Sequence, residues 1–413
     1  MRGTSRVRAV IATLCWVAAS WGQEPAGGVS IRVATFNVED VRTSELRSGD
    51  TARLKRLAEV IQRVKPNVIL LNEIAYDMAG GPDVIEGDAA GQNGQRFAEL
   101  YLGVSQGKGL EPLRMRAYMA PVNTGVPSGF DLDNDGSVTM TYPPTSKGVD
   151  EETRRRHEEL GRKYGNDCWG YGTFPGQYGM ALLVDERLEI DETKVRTFRL
   201  MPWDYMPGAF LPPGPGGAGT WYSAEEREKV RLSSKSHWDV PVKMPNGAVV
   251  HFLCSHPTPP AFDGSEERNK RRNHDEIRFW ADYVEGQSYI VDDANKGGGL
   301  GRGKAFVILG DLNADPKKGN KFKEPIRTVL GSVSRLNMGA VPTASVDVAG
   351  LEATDTALFK LRVDYVLPSK DLEVRQSGVW RDVPSGGGAG GGVEFPSDHF
   401  PVWMDVVVPV PGR

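Results

Sequence analysis

The chain has few cysteines, no long apolar run beyond its N-terminal segment and no excess of positive charge. Three cysteines in 413 residues exclude a disulfide scaffold as the basis of the fold. Cys15 lies in the N-terminal apolar segment, and Thr13-Leu14 before it does not read as a lipid-attachment site. Cys168 and Cys254 either pair as a single staple or stay as two free buried thiols. No later segment is apolar enough to span a bilayer. The formal net charge is −4, and residues 1–22 hold Arg2, Arg6 and Arg8 with no acid, so the remainder carries −7. Proteins that grip long nucleic acid non-specifically usually show a basic balance, so this count disfavours a processive nuclease.

What is present begins with a leader. Three arginines, an apolar run over 9–19 and small residues with Ser20 and Gly22 read as a secretory signal at 1–22, which places the protein in an extracellular or periplasmic compartment. Apolar residues at 39% and charged residues at 25% then fit an ordinary globular body. Residues 30–37 alternate apolar and polar side chains as a strand ending in Asn37. Asp50 reads as the N-cap of a helix through Val64, with Leu54, Leu57, Ala58, Ile61 and Val64 on one face, and Pro66 stops it. A second apolar strand, 67–71, ends in Asn72-Glu73.

The next stretch is rich in loops. Phe130-Asp-Leu-Asp-Asn-Asp-Gly136 matches the first half of a calcium loop through Asp131, Asp133 and Asp135. The twelfth position is Tyr142, where a bidentate Glu belongs, so a structural Ca²⁺ loop and a metal-free Asx turn both stay open. A charged segment at 151–163 reads as a solvated helix. Glycines flank Gln177-Tyr178 before a strand over 181–184, and 211–219 is a Pro- and Gly-rich surface loop.

Strands over 232–242 and 249–254 read as a hairpin across Pro245-Asn246-Gly247. The second ends in Ser255-His256-Pro257, a histidine in a proline-stiffened loop, as a proton donor to a leaving group must be held. His237 and His251 read as structural. A long amphipathic helix over 265–286 buries Ile277, Trp280, Ala281 and Val284, and places Arg268 and Arg272 one turn apart as a candidate phosphate clamp. The run Ala305-Phe-Val-Ile-Leu309 is a buried strand, bent at Gly310 and followed by Asp311 and Asn313. Two residues apart in extended chain, those side chains share one face. A carboxylate and an amide aimed together suit a hard divalent cation, a phosphoryl oxygen or an attacking water. A strand over 361–367 carries Asp364, and Ser397-Asp398-His399 precedes the last strand, 402–408. Asp398 offers a carboxylate to a metal, His399 an imidazole to a water, and Asp364 is a candidate to orient that imidazole.

Thr35-Phe36-Asn37, Leu71-Asn72-Glu73, Ser255-His256, Gly310-Asp311-Leu312-Asn313, Arg362-Val363-Asp364-Tyr365 and Ser397-Asp398-His399, in this order and across nearly the whole chain, resemble the endonuclease/exonuclease/phosphatase superfamily. The resemblance implies an α+β fold in one catalytic domain over 23–413. That fold is a four-layer α/β/β/α sandwich of two packed, mainly antiparallel sheets with helices outside, interrupted by long loop insertions at about 75–180 and 200–230. It implies phosphoester hydrolysis by direct attack of a water, assisted by Mg²⁺ or Mn²⁺. Glu73, Asn37 and Asp398 would hold the metal. His399, oriented by Asp364, would take the water's proton, Asp311 and Asn313 would position the water, and His256 would bind the phosphate or protonate the leaving oxygen. The family often continues past the histidine with a leucine and an acid. Pro257-Thr258-Pro259-Pro260 stands here instead and alters that wall of the pocket.

Three longer phrases, 123–136, 232–241 and 272–283, look like a secreted bacterial branch of the superfamily. Acidic balance and secretion favour a phosphodiesterase or phosphomonoesterase acting as a monomer on a small phosphoester, with no protein partner implied. An extracellular nuclease of DNA or RNA is the alternative. A sphingomyelinase-like phospholipase and a binding scaffold without catalysis follow.

Overall fold

Polar residues recur at the ends of apolar strands, and the fold gathers those ends along one edge. The computed structural model describes residues 28–144, 146–382 and 394–412; the leader and the glycine run at 386–392 lie outside the described residues. The chain runs β1 (Gly28–Val41), α1 (Thr43–Ser48), α2 (Ala52–Val64), β2 (Val68–Ile74), α3 (Asn93–Phe97), β3 (Met115–Tyr118), α4 (Glu151–Asn166), β4 (Met180–Asp185), β5 (Glu189–Ile190) and β6 (Arg196–Thr197). It continues through α5 (Ala224–Lys229), β7 (His237–Lys243), β8 (Val249–Ser255), α6 (Arg268–Val284), β9 (Ala305–Asp311), β10 (Asp364–Pro368), β11 (Glu373–Val379) and β12 (Val402–Pro409).

Two sheets result. The first has the order β11-β12-β1-β2-β4-β3, and the second β10-β9-β8-β7-β5, with β6 also paired to β7. Neighbours are antiparallel except β1 with β2 and β8 with β9. A parallel pair needs a crossover, and α2 and α6 supply the two. Because both strands of such a pair run the same way, each pair delivers two C-terminal ends to one edge.

Period-2 alternation sorts the side chains into layers. Val68 and Leu70 of β2, with Val307 and Leu309 of β9, fill the space between the sheets. Ile69 and Leu71 turn outward onto Leu54, Leu57, Ile61 and Val64 of α2. Phe306 and Ile308 turn the other way onto Ile277, Trp280, Ala281 and Val284 of α6. Each such Leu, Ile or Val contributes about 1.5–3 kcal/mol when fully buried, so the four-layer order follows from the apolar pattern.

Several boundaries move for identifiable reasons. Thr51, not Asp50, is the N-cap of α2, and Asp50 forms an ion pair with Lys55 one turn on. The first hairpin strand starts at His237 instead of 232, because the Ser234 N–H is donated at 2.6 Å to Glu276 of α6 and not to a ladder. The insertion at 75–180 contains α3, β3 and α4, with β3 as an edge strand of the first sheet. Cys168 and Cys254 are both free and buried.

Candidate active site

Gly310 shows why the sequence bends where it does. Its φ is +142°, and a Cβ there would lie 1.9 Å from the Ser255 carbonyl oxygen. Only glycine allows β9 to pass so close to the end of β8, and Asp311 follows immediately. From the first sheet, Asn72 reaches across: its Oδ1 accepts the Asp311 N–H at 3.2 Å and its Nδ2 donates to the Ser255 carbonyl at 3.4 Å. This buried amide pins the two sheets together at the edge where the strand ends meet.

Around Asp311 stand the expected groups. Asn37 Nδ2, from β1, donates to Asp311 Oδ2 at 3.1 Å and to Glu73 Oε1 at 3.0 Å. His256 Nε2 lies 3.4 Å and His399 Nε2 3.8 Å from the same Asp311 oxygen. Asp364 faces Asp311 across the β10–β9 ladder, and its Oδ2 accepts from His399 Nδ1 at 2.9 Å and from Thr356 Oγ1 at 2.7 Å. That fixes the His399 ring with Nε2 turned toward Asp311. Asp398 is 3.9 Å from His399 Nε2, and its N–H donates to Glu39 Oε2 at 3.2 Å. Ser397 ties this segment to β1 through a 2.7 Å bond to the Asn37 carbonyl.

The backbone is strained where the site is built. Glu73 has φ +65° and Asn313 φ +52°, and Glu39 and Asp40 adopt φ +53° and +46° at the irregularity where β1 shifts register against β2. Left-handed conformations of non-glycine residues cost about 1–2 kcal/mol each. Strand-end carboxylates held this way are aimed by the fold and not by local preference.

Charge follows the crowding. Burial raises the Asp40 and Glu39 pKa values, and Glu73 nearby raises both further. Burial also raises Asp398, with Glu73 and Asp311 adding to it. Burial alone would strip His399 of its proton, but Asp364, Asp311 and Asp398 outweigh it and hold the imidazole up at about 10. Burial works against the Asp311 carboxylate too, yet His399 and His256 pull it well below the usual range. His256 is lowered, first by burial and then by Lys235.

Three expected roles take a different geometry. Asn37 turns its amide nitrogen to the carboxylates while its Oδ1 accepts the Glu39 N–H at 3.0 Å, so in this arrangement it holds Glu73 and Asp311 in place. Asn313 donates Nδ2 to the Pro257 carbonyl at 3.1 Å and its N–H to Asp311 Oδ1 at 2.8 Å, joining the β9 end to the His256 loop. The Arg268 and Arg272 clamp is not formed: Arg268 donates to the Leu132 carbonyl, and Arg272 to the carbonyls of Leu232, Trp169, Arg231 and Ser233. Arg272 thereby closes loops under the site.

A separate group brings Asp131 and Asp133 together with Asp167, their ligand oxygens within 4.8 Å of one another. Asp135 turns away, its Oδ1 accepting from Ser137 while Lys163 pairs with it at 3.3 Å. The Tyr142 hydroxyl donates to the Gly80 carbonyl at 2.9 Å.

Asp40, Thr356 and Lys235 carry no signal in the sequence, and Gln177 only its flanking glycines. Gln177 Nε2 donates to Asp40 Oδ1 at 3.1 Å, and the glycine before it is required because a Cβ there would meet the Tyr76 carbonyl at 2.0 Å. The glycines around Gln177 therefore serve chain packing beside the site. None of these residues stands out by spacing.

Oxygen donors dominate the strand-end set of Glu73, Asp311 and Asp398, the chemistry of a hard divalent cation. Among the described residues, Asp311, Asp364 and His399 also offer ligand atoms within 4.8 Å of one another. A family model, the Endonuclease/Exonuclease/phosphatase family, matches residues 34–399. An endonuclease/exonuclease/phosphatase from Beutenbergia cavernae is similar in structure at 18% identity, over 93% of this chain and 73% of its own, with a TM-score of 0.49. The human Nocturnin catalytic domain is similar at 14% identity, over 92% and 93%, with a TM-score of 0.44. A mannosyl-6-phosphatase from Bacteroides thetaiotaomicron is similar at 12% identity, over 91% and 99%, also with a TM-score of 0.44. No curated protein matches.

Proposed function

The chain belongs to the endonuclease/exonuclease/phosphatase family, and from that premise we propose that it is an exported, Mg²⁺- or Mn²⁺-dependent hydrolase of small phosphodiesters or phosphomonoesters. The family is one of divalent-metal-dependent phosphoric ester hydrolases. The observation that carries the reading is Asp311 at the centre of two histidines, one of them held by a buried aspartate.

Glu73 and Asp398, with Asp311 beside them, are the oxygens that would hold the ion, which when bound draws electron density from a phosphoryl oxygen. Asn37 and the Asp40 N–H, donating to the two Glu73 oxygens, keep that carboxylate facing the site. Asp311, ionised and buried, holds the attacking water. His399 can accept the water's proton only when neutral. Asp364, the first of the carboxylates that keep it charged, stays hydrogen-bonded behind the ring, while Asp311 and Asp398, the other two, are ones a bound cation would neutralise, which favours the neutral base. Asp364 then stabilises the imidazolium that forms. His256, 3.4 Å from the same Asp311 oxygen, is placed to donate to the phosphoryl group or the leaving oxygen.

Export rests on the leader at 1–22, and a small substrate on the acidic balance of −7 outside it. Among the described residues no helix is long and apolar enough to cross a membrane. A monomeric state completes the reading, and the Asp131 loop stays open between a Ca²⁺ site and a metal-free turn. The test is turnover of bis(p-nitrophenyl) phosphate, p-nitrophenyl phosphate, plasmid DNA and sphingomyelin by the mature protein, with Mg²⁺, Mn²⁺, Ca²⁺ or chelator. Metal-dependent cleavage of the small esters without DNA nicking is expected; plasmid nicking would replace this reading with the nuclease one.

A further inference from the structure

Lys235 is 5% exposed, in a position where an ammonium is expensive. A buried lysine is normally matched by a carboxylate or by carbonyls. Here Glu276, Glu73 and Asp311 are the opposite charges that act on it, and all three are engaged elsewhere. Glu276 accepts from the Ser234 N–H and hydroxyl and from the Thr258 N–H. Glu73 accepts from Asn37 and the Asp40 N–H, and Asp311 from Asn37 and the Asn313 N–H. Among the described residues no hydrogen bond or ion pair reaches the Lys235 ammonium.

The hairpin register says where it is. His237 stands opposite Ser255 across the antiparallel β7–β8 pair, so Lys235, two residues before the one, and His256, just after the other, lie at the same end. The two interact: the lysine's charge lowers the His256 pKa, after burial the largest effect on it. His256 Nε2 lies 3.4 Å from Asp311 and 3.9 Å from Glu73, yet both its ring nitrogens lack a hydrogen-bond partner. Two buried groups able to donate thus stand at this end of the hairpin, near Asp311, with no hydrogen bond made to a protein acceptor. A cation would be repelled by the ammonium, whereas a phosphoryl group supplies oxygens and negative charge to both.

We propose that Lys235 is a substrate-binding residue: its ammonium and the His256 imidazole take the non-bridging oxygens of the phosphoryl group. This rests on the phosphoester-hydrolase reading, and it leaves the protein carrying a destabilising buried charge that only an anionic ligand relieves.

The experiment is calorimetric binding of inorganic phosphate to the Mg²⁺-loaded protein, with thermal melting, for wild type, Lys235→Met and Lys235→Arg. The methionine variant should bind phosphate at least about tenfold more weakly and melt no lower than wild type, because an unpaired buried charge has been removed. Arginine should restore part of the affinity. An ammonium ¹⁵N signal of Lys235 that shifts at saturating phosphate gives the same answer without a variant. Equal phosphate affinity in wild type and Lys235→Met, no phosphate binding by wild type, or an unmoved ammonium signal overturns the proposal. Phosphate binding through Lys235 without ester turnover would defeat the hydrolase reading alone. Turnover with the same KM and phosphate inhibition in both proteins would defeat this inference alone.

Discussion

Among the described residues two places bring three metal-capable groups within 4.8 Å of one another: Asp311, Asp364 and His399 at the strand ends, and Asp131, Asp133 and Asp167 in the loops. They look alike as lists of oxygens and differ in what the fold has done with them. In the loop, the carboxylates are committed to main chain. Asp131 accepts the N–H groups of Asp135 and Gly136, and Asp167 those of Leu132 and Thr139. Burial, with Asp133 and Asp131 adding to it, raises Asp167 to about 6. At the strand ends all three residues are buried, yet among the described residues Asp364 Oδ1, both His256 nitrogens and the Lys235 ammonium have no hydrogen-bond partner. Self-satisfied polar groups make a turn, while buried groups held rigid and left unsatisfied make a site.

Breaking the first cluster should have the largest effect. Asp311→Ala and His399→Ala are each expected to lower kcat/KM for bis(p-nitrophenyl) phosphate by about 10³-fold or more, with melting temperatures near wild type. Turnover that survives both changes would reduce the strand-end cluster to the status of the loop. Asp364→Asn, which keeps the shape but not the charge behind His399, should cost about 100-fold in kcat with little change in KM, and should alter the pH profile. Glu73→Gln should weaken divalent-ion binding by at least about tenfold, read by titrating Mg²⁺ or Mn²⁺ against activity and by calorimetry.

The support behind the strand ends should be acid-sensitive. His237 Nε2 is bonded to the Glu276 carbonyl at 2.9 Å, and burial depresses its pKa to about 4. Its unfolded value is about 6.5, so between those values the unfolded chain binds the extra proton. Stability linked to His237 is therefore present above about pH 6.5 and lost as pH falls toward 4, by up to about 3 kcal/mol. Urea midpoints across this range should show the loss in wild type and a flatter profile in His237→Gln. The smallest effect belongs to the loop: the Asp131→Ala, Asp133→Ala double variant should leave ester turnover within about twofold of wild type. Calorimetry on that variant also decides calcium, since unchanged Ca²⁺ binding would remove the loop as its site.

Much of this was legible in the residues. Apolar alternation in β2 and β9 and the stripes of α2 and α6 mark the layers, because burial on two faces imposes period 2 on strands and 3.6 on helices. Asn37, Glu73, His256, Asp311, Asp364 and His399 were visible because each ends or begins an apolar run, where a polar side chain has no packing reason to be. Arg268 and Arg272 show the limit: their spacing fits a phosphate clamp, but spacing along a helix does not say which carbonyls lie under it.

What the sequence by itself determined is therefore the set of strands, the two crossover helices and the polar residues at their ends, since these depend on local period and chain direction. Only the tertiary structure decided that those ends share one edge, that Asn72 locks the sheets there and that Lys235 is buried beside His256 without a partner. Such facts depend on contacts between residues tens to hundreds of positions apart, and no local pattern encodes which polar groups the fold will satisfy and which it will leave for a ligand.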